Sequence, residues 1–310
     1  MKNYYRVMLG KGSMFAAECI AGNFIGADYG IDQDLTGKLP GEWRAFNKEF
    51  IPVYLAKHPE KSKIGAGLAC GALWTLAKGM QLGDVVFSPD GKGNYRVAEV
   101  TGGYSYAAGQ NLCHRRMVQW FPTMIAGTTA SLSLQSAGSA GAVSQINNQA
   151  NEIEKFIAEG HSQVSIIMAD GDVAEPPSVV FAMEQHLEEF LIKNWEQTEL
   201  GKDFAVFQED GELKGKQYPT DTGPIDILAV SKDSKRLLVI ELKRGRASDK
   251  VVGQILRYMG YVKDEVAEPD QIVEGMIIAL EDDKNLRRAI TMVPFVSFFR
   301  YEVNFKLVKN

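Results

Sequence analysis

The sequence predicts a two-domain chain of the α/β and α+β classes. A β-barrel of short strands with inserted helices comes first, and a mixed central sheet flanked by helices follows. Three observations predict this. Glycine-containing turns separate short β-branched and aromatic runs up to about residue 125. A charge-free stretch rich in Ala, Ser and Gly over 126–150, then the acidic, Pro-containing 168–177, mark a change of module. From residue 178 onward, helical and strand-like patterns alternate around one charged hairpin. At 310 residues the chain has room for both. The expected domains are 1–165, with 126–150 as connecting segment, a linker over 166–177, and 178–310.

In the first domain, Tyr4 to Leu9 begins as a strand, and Gly10 to Ser13 is a turn. Phe15 to Ile20 and Asn23 to Gly26 read as short strands broken by Gly22. Trp43, Phe46, Phe50 and Tyr54 recur at helical spacing over 41–58, with Pro52 expected to end or kink that helix. Residues 63–79 give a second helix, closed by Gly79. Two runs, 82–87 and 94–100, flank the turn Pro89 to Gly93 and predict a hairpin. Tyr104 to Tyr106 and His114 to Trp120 complete the strands, and Asn151 to Ile157 reads as a helix.

The second domain opens with a helix capped by Ser178 and carrying an apolar stripe from Val180 to Trp195. Phe204 to Phe207 and Lys216 to Pro219 are short strands. The decisive stretch is Gly223 to Tyr261. Its runs Ile225 to Val230 and Leu237 to Lys243 are aliphatic and β-branched, and five polar residues join them as a hairpin. A helix capped by Asp249 follows, then a buried strand over 272–280, a helix over 283–290 and late strand structure over 296–306.

Charges inside that hairpin set its chemistry. Alternation puts Glu241 and Lys243 on one face of their strand, and Asp226 lies across the hairpin. A carboxylate in an apolar strand is costly unless it pairs or holds a metal. Two carboxylates converging with a lysine offer hard oxygen ligands for Mg²⁺ or Mn²⁺, and an ammonium to steady a water or a phosphate. The alternative is a buried structural ion pair.

The arrangement, Asp226 then fourteen residues then Glu241-Leu242-Lys243, resembles the PD-(D/E)xK nuclease superfamily, whose restriction-endonuclease-like fold is a mixed sheet flanked by helices. Gln254 and Tyr258 match the QxxxY motif of RecB-type members, and the wording from Gly223 to Val262 resembles the catalytic domain of NucS-like mismatch endonucleases and related restriction enzymes. The resemblance implies that Asp226, Glu241 and the carbonyl of Leu242 hold the metal. A glutamate of the first helix completes the shell; Glu184 is preferred and Glu188 stays open. Lys243 orients the water, and Gln254 and Tyr258 position the metal or phosphate. Arg244, Arg246 and Lys250 suit backbone phosphates.

The first domain resembles PUA-like and EVE-like modules in the order of its strands and in Arg96-Val97-Ala98-Glu99-Val100 and His114 to Trp120. Such modules precede nucleases in some modification-dependent restriction enzymes and read an extracted base. The resemblance implies an aromatic cage drawn from Phe24, Trp43, Trp74, Tyr104, Tyr106 and Trp120, where stacking contributes about 1–3 kcal/mol per base. The alternative is that most of these aromatics are core packing. His114, Arg115 and Arg116 are candidate phosphate contacts.

The reading is a metal-dependent DNA endonuclease with a reader domain, serving restriction or defence. The rivals are a NucS-like mismatch-repair endonuclease and a non-cleaving DNA-binding protein. DNA is the expected partner, a homodimer the expected assembly, and no small-molecule cofactor is expected. A net charge of −5 argues against strong sequence-independent DNA binding. Cys19, Cys70 and Cys113 form neither a disulfide frame nor a zinc pattern, and with no signal-like or membrane-length apolar run they point to the cytoplasm.

Overall fold

The computed structural model describes residues 2–131, 134, 135, 137, 141–160, 186–209 and 211–302. The chain divides into two compact units, Met1–Gly171 and Asp172–Asn310. Ser178, Glu184, the expected linker and residues 303–306 lie outside the described residues.

The first unit is built on a six-stranded sheet. Its strands are β1 (Tyr4–Val7), β2 (Phe24–Ala27), β3 (Val85–Pro89), β4 (Asn94–Tyr106), β5 (His114–Ala126) and β6 (Val143–Gln145). They lie in the order β2-β5-β4-β3-β1-β6, antiparallel except for the parallel pair β1 and β3. The expected hairpin is β3–β4, with Val85 opposite Glu99. Part of the small-residue stretch forms β6, which pairs with β1 inside this unit.

Among the described residues the helices α1 (Ala16–Ala21), α2 (Trp43–Lys57), α3 (Lys63–Trp74) and α4 (Ala150–Gly160) accompany the sheet. Helix α1 corrects the strand expected over 15–20. Its buried residues Ala16 and Cys19 stand three apart, a helical spacing, and it packs at the start of β2. Helix α2 also runs on through Pro52. The proline is exposed, so the carbonyl it frees can face water, while Phe46, Phe50 and Tyr54 stay buried on the other side. Ser62 caps α3 by accepting from Gly65 N at 3.0 Å. All three cysteines are buried, and burial pushes the thiols of Cys19 and Cys70 up to about 12.

The described part of the second unit opens on α5 (residues 186–193) and α6 (Glu199–Asp203). Strands β7 (Phe204–Val206), β8 (Gln208–Glu209), β9 (Glu212–Leu213), β10 (Lys216–Tyr218), β11 (Ile225–Ser231) and β12 (Arg236–Arg246) follow. Then come α7 (Lys250–Tyr261), β13 (Ile272–Glu281), α8 (Lys284–Thr291) and β14 (Val296–Arg300). The main sheet runs β10-β11-β12-β13-β14, and β7 also pairs with β11. β11 and β12 are antiparallel, whereas β12, β13 and β14 are parallel, so the sheet is mixed.

Ser231 closes the β11–β12 turn. Its hydroxyl donates to Asp233 Oδ1 at 2.6 Å and accepts from Arg236 N at 2.9 Å. On one sheet face Ile227, Ala229, Ile240, Leu242 and Ile278 pack against Trp195 and the apolar side of α5. The parallel part of the sheet is joined through α7, which packs on β12 and β13. Asp249 is not the cap expected for α7: its backbone is already helical and its side chain makes no capping bond. Asp283 does cap α8, accepting from Leu286 N at 2.7 Å. No described helix is long and apolar enough to cross a membrane.

Candidate active site

β11 and β12 pair with Ile227 opposite Ile240. Carrying that register on by one residue sets Asp226 beside Glu241, and the two-residue period puts Lys243 on the same face. Glu241 is only 2 % exposed, in a strand whose neighbouring positions are apolar and buried. Lys243 Nζ donates to its Oε1 at 2.6 Å, which offsets part of the cost of that burial. Asp226 is fixed from two sides: Oδ2 accepts from Leu242 N at 2.7 Å, and Oδ1 accepts from Gln217 Nε2 at 3.2 Å.

Helix α7 brings Gln254 and Tyr258 to the same place. One helical turn apart, they share a face, and Gln254 Nε2 lies 3.4 Å from the Tyr258 hydroxyl. Burial raises the Tyr258 pKa, and the negative charges of Glu241 and Asp226 raise it further against Gln254 and Lys243. Tyr258 therefore keeps its proton and can donate it in a hydrogen bond. The chain leading into Asp226 crosses close over this phenol. A Cβ at Gly223, where φ is +119°, would stand 3.2 Å from the Tyr258 oxygen.

Of the two first-helix glutamates left open by the sequence, Glu184 lies outside the described residues. Glu188 on α5 is buried and faces β10. Its Oε1 is 3.1 Å from Lys216 Nζ, and its Oε2 accepts from Gln217 Nε2. Burial pushes its carboxyl up to about 7; Lys216 pulls it down, and the charge of Asp226 pushes it up again.

Gln217 thus bridges Glu188 and Asp226 through one carboxamide nitrogen. The bridge uses an unusual backbone, with φ +49° at a non-glycine residue. Gly215 makes the close β10 approach possible: a Cβ there would lie 2.2 Å from the Leu228 carbonyl oxygen. Sequence reasoning missed Gln217 and Lys216 altogether. The one signal was a polar residue between Lys216 and Tyr218 in a run otherwise read as strand.

Gln217 is hydrogen-bonded to Asp226 and is a candidate positioning residue for it. Gln217→Leu is expected to lower phosphodiester cleavage about 10–100-fold, the usual scale for outer ligand-orienting groups. Gln217→Glu should do no better, because it adds a third carboxylate. Cleavage rates read against metal concentration check this, since misplacing Asp226 should raise the metal requirement.

The donor set suits Mg²⁺ or Mn²⁺. Among the described residues no three Asp, Glu, His or Cys side chains gather into a ready-made cage. Mg²⁺ does not need one, because it keeps several waters and commonly takes one or two carboxylates. Asp226, Glu241 and the Leu242 carbonyl fit that demand, and both carboxylates retain lone pairs beyond the hydrogen bonds they accept. Arg246 and Lys250 are exposed and Arg244 half-buried, at the end of β12 and the start of α7 next to Lys243.

The first-unit candidates do not gather into one cage. Phe24 and Trp120 are buried core, with Arg115 stacked over Phe24 at 3.9 Å and Trp120 Nε1 donating to Cys19 O. Neither is available to stack on a base. Trp74 is half-buried and donates to Pro40 O at 3.0 Å, while half-buried Trp43 lies by Arg44 at the start of α2. Tyr106 packs 5.3 Å from the His114 ring.

His114 is fully buried, which removes it from the phosphate contacts expected of it. Ile31 O can only accept, so His114 Nε2 carries the proton and donates there at 2.7 Å. Nδ1 then accepts from the Tyr104 hydroxyl at 2.9 Å, which in turn accepts from Leu35 N at 3.1 Å. Burial lowers the His114 pKa, in keeping with a neutral ring. Arg115 is tied to the Leu112 and Asn111 carbonyls and to Glu18.

Comparison with known proteins separates the two units in the same way. Residues 183–290 match the family described as the Endonuclease NucS C-terminal domain. Residues 5–147 match a family described as a domain of unknown function, DUF8426. Endonuclease NucS of Corynebacterium aurimucosum is 31% identical over 138 residues, covering 44% of this chain and 51% of that protein. Endonuclease NucS of Pyrococcus abyssi is 29% identical over 111 residues, covering 35% and 43%. The chain spans about half the length of the curated relatives it matches. The crystal structure of a repair endonuclease from Pyrococcus abyssi aligns over 69% of this chain and 66% of its own, at 16% identity and a TM-score of 0.31, too low to establish a common fold. The sequence match is what makes the second unit similar to a NucS-type nuclease, and the hairpin site lies inside it.

Proposed function

We propose that the chain is a metal-dependent endonuclease that hydrolyses DNA phosphodiester bonds, akin to NucS-like mismatch-repair endonucleases. The observation that carries this is the buried Glu241–Lys243 pair set beside Asp226 on the hairpin, within the region that matches the NucS C-terminal domain. The comparisons favour repair over a restriction or defence role.

Mg²⁺ or Mn²⁺, when bound, supplies positive charge against the phosphoryl oxygens and activates water for attack. Asp226 and Glu241 would hold that ion, together with the Leu242 carbonyl. Gln217 and Leu242 N–H keep the Asp226 carboxylate from turning. Lys243 donates to the attacking water or to the phosphate, and its link to Glu241 fixes the ammonium in place. Tyr258 and Gln254 donate towards the metal ligands or the phosphate. Arg246 and Lys250 take flanking phosphates, and a dimer would supply a second centre for the other strand. The first unit chooses the DNA.

Cleavage of a panel of duplexes with Mg²⁺ tests the proposal. The panel is one sequence as matched, mismatched, methylated and hydroxymethylated DNA. Preferential cutting of mismatched duplex is expected. Cutting confined to a modified duplex would move the role to restriction, and failure to cut any duplex with either metal would favour a non-cleaving DNA-binding protein.

A further inference from the structure

The first unit holds an open cleft of about 600 Å³ whose lining includes Thr36, Lys78, Gln81, Tyr104 and Arg116, with no carboxylate among the described residues. Arg116 is the unusual member. It is 8 % exposed, and Nη1 donates to the Met80 carbonyl, while Nε is buried with no hydrogen-bond partner among the described residues. Asp84 is close enough for its charge to act on the guanidinium, but its two oxygens already accept from Asn3 N at 2.9 Å and Gln81 N at 2.8 Å. Lys78 is exposed on the same cleft and makes no ion pair among the described residues.

A buried guanidinium lacking a hydrogen-bonded anion is expensive, and a ligand in the adjoining cleft would relieve that cost. Phosphate is the natural complement of a planar guanidinium, and a lysine adds a point charge. The cleft is larger than a bare phosphate needs and falls in the range of small-molecule sites. Tyr104 adds an aromatic ring whose hydroxyl is already fixed by His114 and Leu35.

We propose that this cleft binds a nucleotide through its phosphate, with Arg116 and Lys78 as the phosphate ligands and the Tyr104 ring beside the base. The nucleotide is either part of a DNA strand or free. The inference does not rest on the nuclease reading of the hairpin, because it concerns binding without metal.

The test uses the full chain in EDTA buffer. One probe is dAMP, titrated by calorimetry; the other is a 5′-labelled single-stranded oligonucleotide, followed by fluorescence anisotropy. Wild type is compared with Lys78→Gln, Arg116→Gln and Lys11→Gln, the last an exposed lysine away from the cleft. Lys78→Gln is expected to weaken binding about tenfold, the scale of one charge-assisted contact, with an unchanged melting temperature. Arg116→Gln should weaken it at least as much, and Lys11→Gln should leave it unchanged. Weakened dAMP binding identifies a free-nucleotide site, and weakened oligonucleotide binding alone identifies a strand phosphate; both support the cleft. If neither probe binds wild type, or if Lys78→Gln binds both as wild type does, the proposal is overturned. Lys78→Gln keeps the test decisive even if Arg116→Gln fails to fold.

Discussion

Glu241→Gln is expected to abolish metal-dependent DNA cleavage, lowering the rate about 10³-fold or more, the scale seen when a preorganised electrostatic element is removed. The substitution keeps the shape of a side chain that is 2 % exposed, so the strand should still pack. What disappears is the negative charge that meets Lys243 Nζ at 2.6 Å and that offers an oxygen to a cation. Lys243→Met should give a comparable loss by removing the other half of the pair. Cleavage rates, with folding checked by circular dichroism, separate this from a merely structural ion pair. In the structural case activity would fall only as far as folding does.

Lys216→Met is expected to destabilise the second unit by about 3 kcal/mol at pH 8, because it strips the charged partner from buried Glu188. The effect should be smaller at pH 5, and the sign follows from linkage. Folded Glu188 holds its proton up to about 7, whereas its ordinary value is 4.5. A carboxyl with a raised folded pKa favours the fold at low pH, and that contribution is lost as pH rises from 4.5 through about 7. Lys216 pulls this pKa down, so its loss extends the window upward and enlarges the penalty above neutrality. Glu188→Gln should flatten the pH dependence, and adding it to Lys216→Met should recover most of the lost stability. Urea unfolding at pH 5 and pH 8 of the single and double variants checks both statements.

The candidate hairpin was legible because its signal is local. Ile225 to Val230 and Leu237 to Ile240 are aliphatic on both faces, so Asp226, Glu241 and Lys243 stand out as charges that need a reason. Gln217 and Lys216 were not legible, because their partners are chosen by tertiary pairing. A three-residue strand carries almost no period, and nothing local says that its middle residue reaches both Glu188 and Asp226. Helix α1 was misread for the same reason: its six residues hold less than two turns of pattern.

His114 was misread although the signal was present. His114, Arg116, Val118 and Trp120 alternate on one face of β5, and all four are buried, while Met117 and Gln119 on the other face are exposed. The basic run His114-Arg115-Arg116 looked like a surface patch only because its period was not followed to Val118 and Trp120. Arg116 belongs to the inner set, and its place at the cleft was therefore hidden. The aromatic residues Phe24 and Trp120 fall to the ordinary rule that large rings at strand spacing pack the core.

Asp226 and Glu241 are proposed to hold a divalent metal where Lys243 can serve phosphodiester hydrolysis. Calorimetric titration of Mn²⁺ into the wild-type chain and into the Asp226→Asn/Glu241→Gln double variant, each with bound duplex DNA, tests it most directly. Saturable binding in wild type and its loss in the folded double variant is the predicted result. Equal Mn²⁺ binding by both would contradict the account.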